Sequence, residues 1–210
     1  MKRALPINLL LLVICMSCIQ EPEIGNLVKY MMVQTEYNQS FINNEENIFD
    51  SYSTFVIRED TMGFVSNFSD TKYLTESDVP GFVSPVVDAI RDGFAQGYLQ
   101  VTEEDDPDFA VNVVVLENFN YYQTYNYGYG YPGSYYGYYN YYYPAVTTYY
   151  SNYVTLLVQV VDAKNPNSNN EFPIIWSAYI GDLNATLDLT GKTLEAVDQA
   201  FTQSPYIKSN

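Results

Sequence analysis

Carboxylates are the side chains in this sequence that could take part in chemistry and that occur in large number. The 210 residues include 25 Asp and Glu but no histidine, so neither a Ser–His or Cys–His nucleophile nor a His-ligated zinc site can form. The run Glu103–Asp108 could offer oxygen atoms to calcium, but it lacks the alternating ligands and central glycine of an EF-hand loop. A solvated turn is the simpler interpretation. No spacing singles out an acid–base pair, and we predict no catalytic residue, metal site or cofactor.

Tyrosine is the second conspicuous residue type, and most of the tyrosines lie in one uncharged stretch. Residues 121–153 hold 16 of the 23 tyrosines, mixed with Gly, Asn, Pro and Ser. Tyrosine combines flat apolar area with a polar tip and loses little rotamer entropy, which suits a surface that recognises a protein groove or a sugar ring. The alternative is a low-complexity loop that curls over the sheet and contacts solvent. The candidate binding residues are Tyr121, Tyr122, Tyr125, Tyr127, Tyr129, Tyr131, Tyr135, Tyr136, Tyr138, Tyr139, Tyr141, Tyr142 and Tyr143.

The amino terminus, MKRALPINLLLLVICMSC, has the order of a bacterial lipoprotein signal. Lys2 and Arg3 precede an apolar stretch that is too short to span a bilayer, and Ser17 stands directly before Cys18. We therefore predict that a signal peptide, residues 1–17, is removed and that Cys18 is acylated. An ordinary signal peptide cut elsewhere is the alternative. Acyl chains such as palmitate on Cys18 would tether the protein to a membrane without spanning it.

Charge and cysteine content exclude two further classes. Loss of Lys2 and Arg3 with the leader removes two positive charges and lowers the formal net charge from −16 to −18. Such a chain is repelled by phosphate backbones and anionic lipid surfaces, so nucleic acid is not an expected partner. The two cysteines, Cys15 and Cys18, both lie at the leader, so the folded part has no disulfide framework.

Five strands and two helices are the elements that must position these residues. Alternating or β-branched runs predict strands within 30–41, 49–60, 106–117, 153–163 and 171–181, and apolar stripes of helical period predict helices within 84–100 and 193–205. Segment 61–79 lacks a clean period and is expected to wrap the surface. This order predicts an α+β fold: one two-layer domain, a mostly antiparallel sheet of four to five strands with two helices on one face.

Particular side chains define the predicted faces and ends of these elements. Ser84 could cap the first helix, which would end near Gly97. The stripe of this helix comprises Val83, Val86, Val87, Ile90 and Phe94, and that of the second comprises Leu194, Val197 and Phe201. Strict alternation in the last strand puts Phe172, Ile174, Trp176 and Ala178 on one face, with Trp176 as a core anchor.

These elements divide the chain into a leader and one domain. Residues 1–17 form the predicted signal peptide, 18–29 the lipidated tether and 30–210 the α+β domain, which carries the Tyr-rich hairpin insertion 119–148. Since the insertion joins two predicted strands, it is an internal connection and not a tail.

Four short motifs in this domain resemble a known family. They are YSTF at 52–55, GY at 97–98, PD at 107–108 and IW at 175–176. In this order and spacing the chain after residue 30 resembles the bacterial lipoproteins catalogued as domain of unknown function 4136. The resemblance implies an envelope lipoprotein of Gram-negative bacteria with an α+β domain, and it assigns no catalytic residue. Cys18 is followed by Ile19 and not by Asp, which by analogy with lipoprotein sorting favours the outer membrane, facing the periplasm or the surface.

The expected function is therefore that of a lipid-anchored cell-envelope protein that is not an enzyme. We expect it to act by binding, and the expected partner is another envelope protein. Two alternatives remain open from the sequence: a glycan-binding module that uses the Tyr-rich loop, and a hydrolase whose metal is held by carboxylates.

Overall fold

A computed structural model of the chain describes residues 31–38, 47–66, 68–117, 154–166, 172–183 and 186–207. The strands are β1 Val33–Tyr37, β2 Thr54–Ile57, β3 Thr61–Ser66, β4 Tyr73–Thr75, β5 Leu99–Gln100, β6 Phe109–Glu117, β7 Thr155–Asp162 and β8 Ile174–Ile180. The helices are α1 Val83–Ala95 and α2 Leu189–Thr202, and short 3₁₀ helices span Ile48–Ser51 and Glu103–Asp105.

All these strands belong to one sheet, in the order β1-β8-β7-β6-β2-β5. The centre is β6, which pairs antiparallel with β7 along one side. Along its other side β6 pairs in parallel with β2 over its first half and with β3 over its second half. β4 pairs with β3, and β1 pairs with β8 at the opposite edge. The β-branched runs of β6 and β7 are buried on both faces, as expected for central strands.

The sheet has eight strands, so the predicted number of four to five is wrong. Segment 61–79, expected to wrap the surface, contains β3 and β4, and β5 follows soon after α1. β4 and β5 have only three and two residues, too few to show an alternating pattern. The sheet is also mixed, because β2 and β3 both pair in parallel with β6, and β2 with β5.

Both helices pack on the same face of the sheet, which confirms that part of the predicted architecture. The buried side chains of α1 are Val83, Val86, Val87, Ile90 and Phe94, and these are the predicted stripe. They share one hydrophobic cluster with Ala196, Val197 and Ala200 of α2. The helices approach closely because Gly93 has no side chain: a Cβ there would collide with the ring of Phe201.

The predicted cap of α1 at Ser84 is wrong. The helix begins one residue earlier, at Val83, and its cap residue Phe82 makes no side-chain hydrogen bond. The side chain of Glu76 caps the helix from outside it. Its carboxylate accepts hydrogen bonds from the backbone N–H of Gly81 and, at 2.9 Å, of Ser84. A cap supplied from eight residues away leaves no local sequence signature.

Trp176 is a core anchor, as predicted. It is 1% exposed, and its indole Nε1 donates a hydrogen bond of 2.9 Å to Ser204 Oγ. The expectation that Phe172 and Ile174 share its face is wrong. Val160 pairs with Trp176 but Val161 pairs with Ile174, so β8 contains a bulge. The extra residue turns Phe172 and Ile174 to the opposite face, where they pack near Val161.

Candidate functional site

The residues predicted from the sequence to bind or to be modified lie outside the described residues. This applies to Cys18, to all thirteen candidate tyrosines between Tyr121 and Tyr143, and to the tether 18–29. Their roles remain predictions. The described residues that lie nearest to the Tyr-rich insertion in sequence are the ends of β6 and β7.

The base of the insertion is a regular part of the sheet. The β6–β7 ladder extends to the pair Leu116 and Thr155. Beside it, Ser66 Oγ donates a hydrogen bond of 2.8 Å to Glu117 Oε2, which ties the end of β6 to the end of β3. The insertion therefore leaves and re-enters the domain at two adjacent strands in the middle of the sheet.

The face of the sheet opposite the helices, here called the second face, is apolar. Two clusters of buried side chains lie on it. One contains Val114, Leu116, Leu157 and Tyr179, and the other contains Val56, Ala110 and Val161. No residue of α1 or α2 belongs to either cluster, because the buried residues of both helices lie in the cluster on the other face.

A line of polar side chains, here called the amide row, separates these two clusters. Asn112 on β6 is directly opposite Gln159 on β7, and Gln159 is directly opposite Ser177 on β8. Gln159 is 0% exposed and Ser177 is 5% exposed. At the edge of the sheet the row continues to Glu36 of β1, which pairs with Ser177 and is exposed.

The buried amides of this row lack hydrogen-bond partners within the described part of the chain. These atoms are Nε2 and Oε1 of Gln159 and Nδ2 of Asn112. An amide taken out of water without a partner costs about 1–3 kcal/mol. Such groups are rare in folded proteins, and each one marks a place where a polar partner would lower the free energy. The second face thus combines apolar area with unmet donors and an unmet acceptor.

The acidic run Glu103–Asp108 precedes β6, at the end of the strand opposite to the insertion. Its contacts there are structural. Its first three residues form a 3₁₀ helix with a capping box between Thr102 and Asp105. Asp108 Oδ2 accepts hydrogen bonds from the backbone N–H of Ser53 at 2.7 Å and of Thr54 at 3.2 Å. These contacts fit the turn that the sequence predicts, and they fasten the start of β6 to the start of β2.

Asp108 also forms an ion pair, and the two kinds of contact set its acidity. Lys164 Nζ lies 2.9 Å from Asp108 Oδ1. Partial burial acts to raise the pKa of this carboxyl, but the hydrogen bonds from Lys164, Ser53 and Thr54 outweigh it and hold the pKa below its usual value. A carboxylate held ionised by structural contacts is suited to fastening strands and not to transferring protons.

Metal-ligand clusters and membrane spans were sought in the described ranges. Within them, no group of three or more His, Cys, Asp or Glu side chains is arranged to hold a metal ion. No helix in the same ranges is long and apolar enough to cross a membrane.

Comparison with known proteins assigns the family. The model of the domain of unknown function DUF4136 matches residues 33–206. The chain belongs to the DUF4136 family. The matched range begins at the first residue of β1 and includes every strand and both helices, so the eight-stranded sheet with its two helices lies entirely within the family's domain. Among curated proteins, no match was found.

Solved structures support the fold of this DUF4136 chain. A DUF4136 family protein from Bacteroides thetaiotaomicron is 22% identical, over 86% of this chain and 98% of its own, with a TM-score of 0.58. A PelC dodecamer from Paraburkholderia phytofirmans (9% identity, 86% and 99% coverage, TM-score 0.40) and a PDZ domain protein from Parabacteroides distasonis (12%, 88% and 41%, 0.43) also match. These last two are too distant to carry an argument.

The amide row was not among the sites predicted from the sequence, although a signal for it exists. Asn112 is the one polar side chain between Val111 and Leu116, and Gln159 is the one polar side chain between Leu156 and Val161. What the sequence could not show is that the two amides face each other across a ladder, because that depends on how β6 and β7 are aligned.

Proposed function

We propose that this chain is a lipid-anchored protein of the cell envelope that acts by binding another envelope protein and is not an enzyme. The observation that carries the binding role is the placement of the Tyr-rich insertion. The described strands on either side of it end in the pair Leu116 and Thr155, in the middle of the sheet. A long loop presented from a rigid scaffold is a common arrangement of a binding site.

The anchor in this proposal is Cys18, acylated after removal of residues 1–17. The tether 18–29 is twelve residues long and can span at most about 40 Å when fully extended. The domain would therefore work close to the membrane surface. We propose the outer membrane as its location, because Ile19 and not Asp follows Cys18.

Matched cysteine variants test the anchor. Cys18→Ser should abolish incorporation of labelled palmitate and release the protein from the membrane fraction, because the acylated side chain is gone. Cys15→Ser is the control, since this residue lies within the proposed leader, and it should leave both properties unchanged. Palmitate incorporation into the Cys18→Ser protein would contradict the proposal.

The binding role is tested by cross-linking in intact cells. The native chain is compared with a chain in which residues 121–143 are replaced by a short Gly/Ser turn, a change that costs little closure entropy. We expect one defined envelope protein to be cross-linked to the native chain and lost with the segment. A control chain with Glu103, Glu104 and Asp105 replaced by Gln, Gln and Asn should retain the partner. Recovery of the same partners from all three chains would contradict a role of the insertion.

Glycan binding is the second candidate, favoured by the sixteen tyrosines and lack of charge in residues 121–153. Cell-wall and surface polysaccharides at millimolar sugar concentration should then change the tyrosine fluorescence of the purified protein. The chain with the Gly/Ser turn should show no change. An unchanged signal in the native chain would remove this candidate.

A further inference from the structure

One end of the sheet, here called the entry end, is where the chain passes from the tether into the domain. A single row of paired residues crosses the sheet there: Val33 on β1, Ile180 on β8, Leu156 on β7, Val115 on β6 and Phe64 on β3. β1 begins at this row, shortly after the tether ends. The surface just beyond the row therefore lies close to any membrane that holds the tether.

Three large apolar side chains are exposed just beyond this row. Met32 is 62% exposed, Phe68 75% and Leu187 105%. Met32 directly precedes β1, and its carbonyl accepts the N–H of Gly181 at the end of β8. Phe68 follows β3, where its N–H donates to Ser66 Oγ at 3.1 Å.

Leu187 reaches the same end through α2. It stands directly before Asp188, the cap residue of this helix. Thr193 Oγ1 of α2 lies 3.9 Å from Met31 Sδ, so the helix begins beside the start of β1. The three apolar side chains are thus spread around the entry end. From β1 to β3 the sheet is five strands wide, which is about 19 Å at the usual strand spacing.

Elsewhere on the described surface, exposed large apolar side chains are fewer and differently placed. Tyr73 carries the guanidinium of Arg58 over its ring. Leu99 pairs with Thr54 on β2, at the opposite end of the sheet. The acidic run Glu103–Asp108 lies at that opposite end too, directly before β6. The domain therefore has one end with exposed apolar side chains and another with a dense run of carboxylates.

We propose that the entry end rests on a zwitterionic lipid surface, with the side chains of Met32, Phe68 and Leu187 inserted between the headgroups. Large apolar side chains gain free energy at the boundary of headgroups and acyl chains. Contacts spread over the width of the sheet hold the strands upright on the bilayer and turn the acidic run away from it. The inference rests on the proposed anchor, because three side chains alone bind a bilayer weakly. β6 ends and β7 begins at the entry end, so a partner of the insertion would meet it at the membrane surface.

Carboxylates at the entry end determine which lipids suit it. Asp70 and Asp188 are exposed there, and Asp182 follows β8. Without Lys2 and Arg3 the formal net charge of the chain is −18. Anionic headgroups repel such a surface, whereas zwitterionic headgroups do not.

Position-specific labels test the orientation independently of acylation. Every described strand and helix lies within 33–206, so a chain that begins at residue 18 keeps the whole domain. This chain, with Cys18→Ser and an amino-terminal polyhistidine tag, is held on phosphatidylcholine vesicles by a nickel-chelating lipid. Brominated acyl chains should quench a fluorophore on Leu187→Cys or Phe68→Cys at least about twofold more strongly than one on Leu99→Cys, the matched leucine at the opposite end. Equal quenching at the three positions, or none, would overturn the proposal.

A second comparison shows whether the three side chains cause the orientation. The reporter is a fluorophore on Asp70→Cys, exposed and close to Phe68 in the chain. Its quenching should fall to the level of the Leu99→Cys label when Met32, Phe68 and Leu187 are all replaced by Ser. Leu99→Ser, the control, should leave it unchanged. Full quenching in the triple variant would mean that the tether alone orients the domain, and the proposal would be wrong.

Lipid composition and chain density separate this proposal from its rivals. Replacing part of the phosphatidylcholine by phosphatidylglycerol should weaken the quenching, and stronger quenching would contradict the proposal. Fluorescence that changes with the density of chains on the vesicle, without quenching by brominated lipid, would show that a second copy covers the entry end and would also overturn it. Because the tag replaces the acyl anchor, failed incorporation of palmitate at Cys18 would refute the anchor, whereas absent quenching in an acylated protein's tagged form would refute the orientation alone.

Discussion

The largest core side chain, Trp176, depends on one buried hydroxyl, that of Ser204. Its Oγ accepts the indole N–H of Trp176 at 2.9 Å, and both residues are 1% exposed. Ser204→Ala leaves that N–H buried without an acceptor, so the free energy of unfolding should fall by about 1–3 kcal/mol. Urea unfolding at neutral pH measures the change. Ser53→Ala, the same substitution at an exposed position, should have almost no effect, and equal losses in the two variants would refute the argument.

Asp108 should make the stability of the domain depend on pH. Its folded-state pKa is held below the usual value, so its contribution is fully present above pH about 4, the ordinary carboxyl pKa. The contribution is lost as the pH falls through the lower folded value. Asp108→Asn should therefore be destabilised at pH 7, and its difference from the native protein should shrink as the pH is lowered below about 4.

The measurement for Asp108 is a series of urea unfolding curves between pH 7 and pH 3. Asp60→Asn, at an exposed position on the same domain, is the matched control and should unfold like the native protein. A stability difference for Asp108→Asn that stays constant down to pH 3 would show that the carboxylate charge is not the cause.

At the residue scale, the sequence identifies chemistry but not partners. Trp176 could be assigned to the core because a large apolar residue in an apolar strand is normally buried. Its acceptor Ser204 lies 28 residues further along the chain, and nothing local connects the two. The same holds for Asp108, whose partners Ser53 and Thr54 lie at the start of another strand. Such contacts arise only when distant strands are brought together.

Among the elements, α2 offers a direct test of helix capping. Asp188 Oδ1 accepts a hydrogen bond of 3.0 Å from the backbone N–H of Gly191 at the start of the helix. Asp188→Ala should lower the free energy of unfolding by about 1 kcal/mol, since it leaves this N–H without its acceptor. Asp188→Asn keeps an acceptor oxygen and should lower the free energy of unfolding by only a few tenths of a kcal/mol. A loss of similar size in both variants, by thermal or urea unfolding, would argue against the cap.

The strength of the local pattern decided which elements could be predicted from the sequence. Apolar stripes marked α1 and α2, and alternating or β-branched runs marked β1, β2, β6, β7 and β8. β3 was missed because its six residues show no regular alternation, and β4 and β5 are too short for any period to appear. In β8 the bulge between the pairs of Val160 and Val161 shifts the alternation by one residue, which is why Ile174 lies on the face opposite to its predicted one. Bulges are set by the partner strand as much as by the bulged one.

For the whole molecule, the excess of acidic residues should be visible in the salt dependence of stability. The chain has a formal net charge of −16, and like charges destabilise a compact state. Raising NaCl from about 10 mM to about 500 mM screens these charges and should raise the Tm of the Cys18→Ser protein by several degrees. Calorimetry in matched buffers measures the change.

A charge-reduced variant controls for other effects of salt. Asp60, Asp70 and Asp198 are exposed, and their replacement by Asn removes three negative charges at once. The Tm of this variant should be higher at low salt and should rise less on adding NaCl. If its salt response equals that of the parent protein, charge repulsion does not explain the effect.

The amide row has one more consequence, which concerns the fidelity of folding. Side chains alternate between the two faces of a strand, so a slip of β7 by one residue against β6 would turn Gln159 toward the helices. There its amide would face the rings and methyl groups beneath α1 and α2. Valines before and after it could exchange faces at little cost, whereas Gln159 would exchange its polar neighbours Asn112 and Ser177 for apolar side chains. One glutamine in a valine-rich strand thus acts as an alignment mark: it penalises the misaligned sheet that an all-apolar β7 would tolerate.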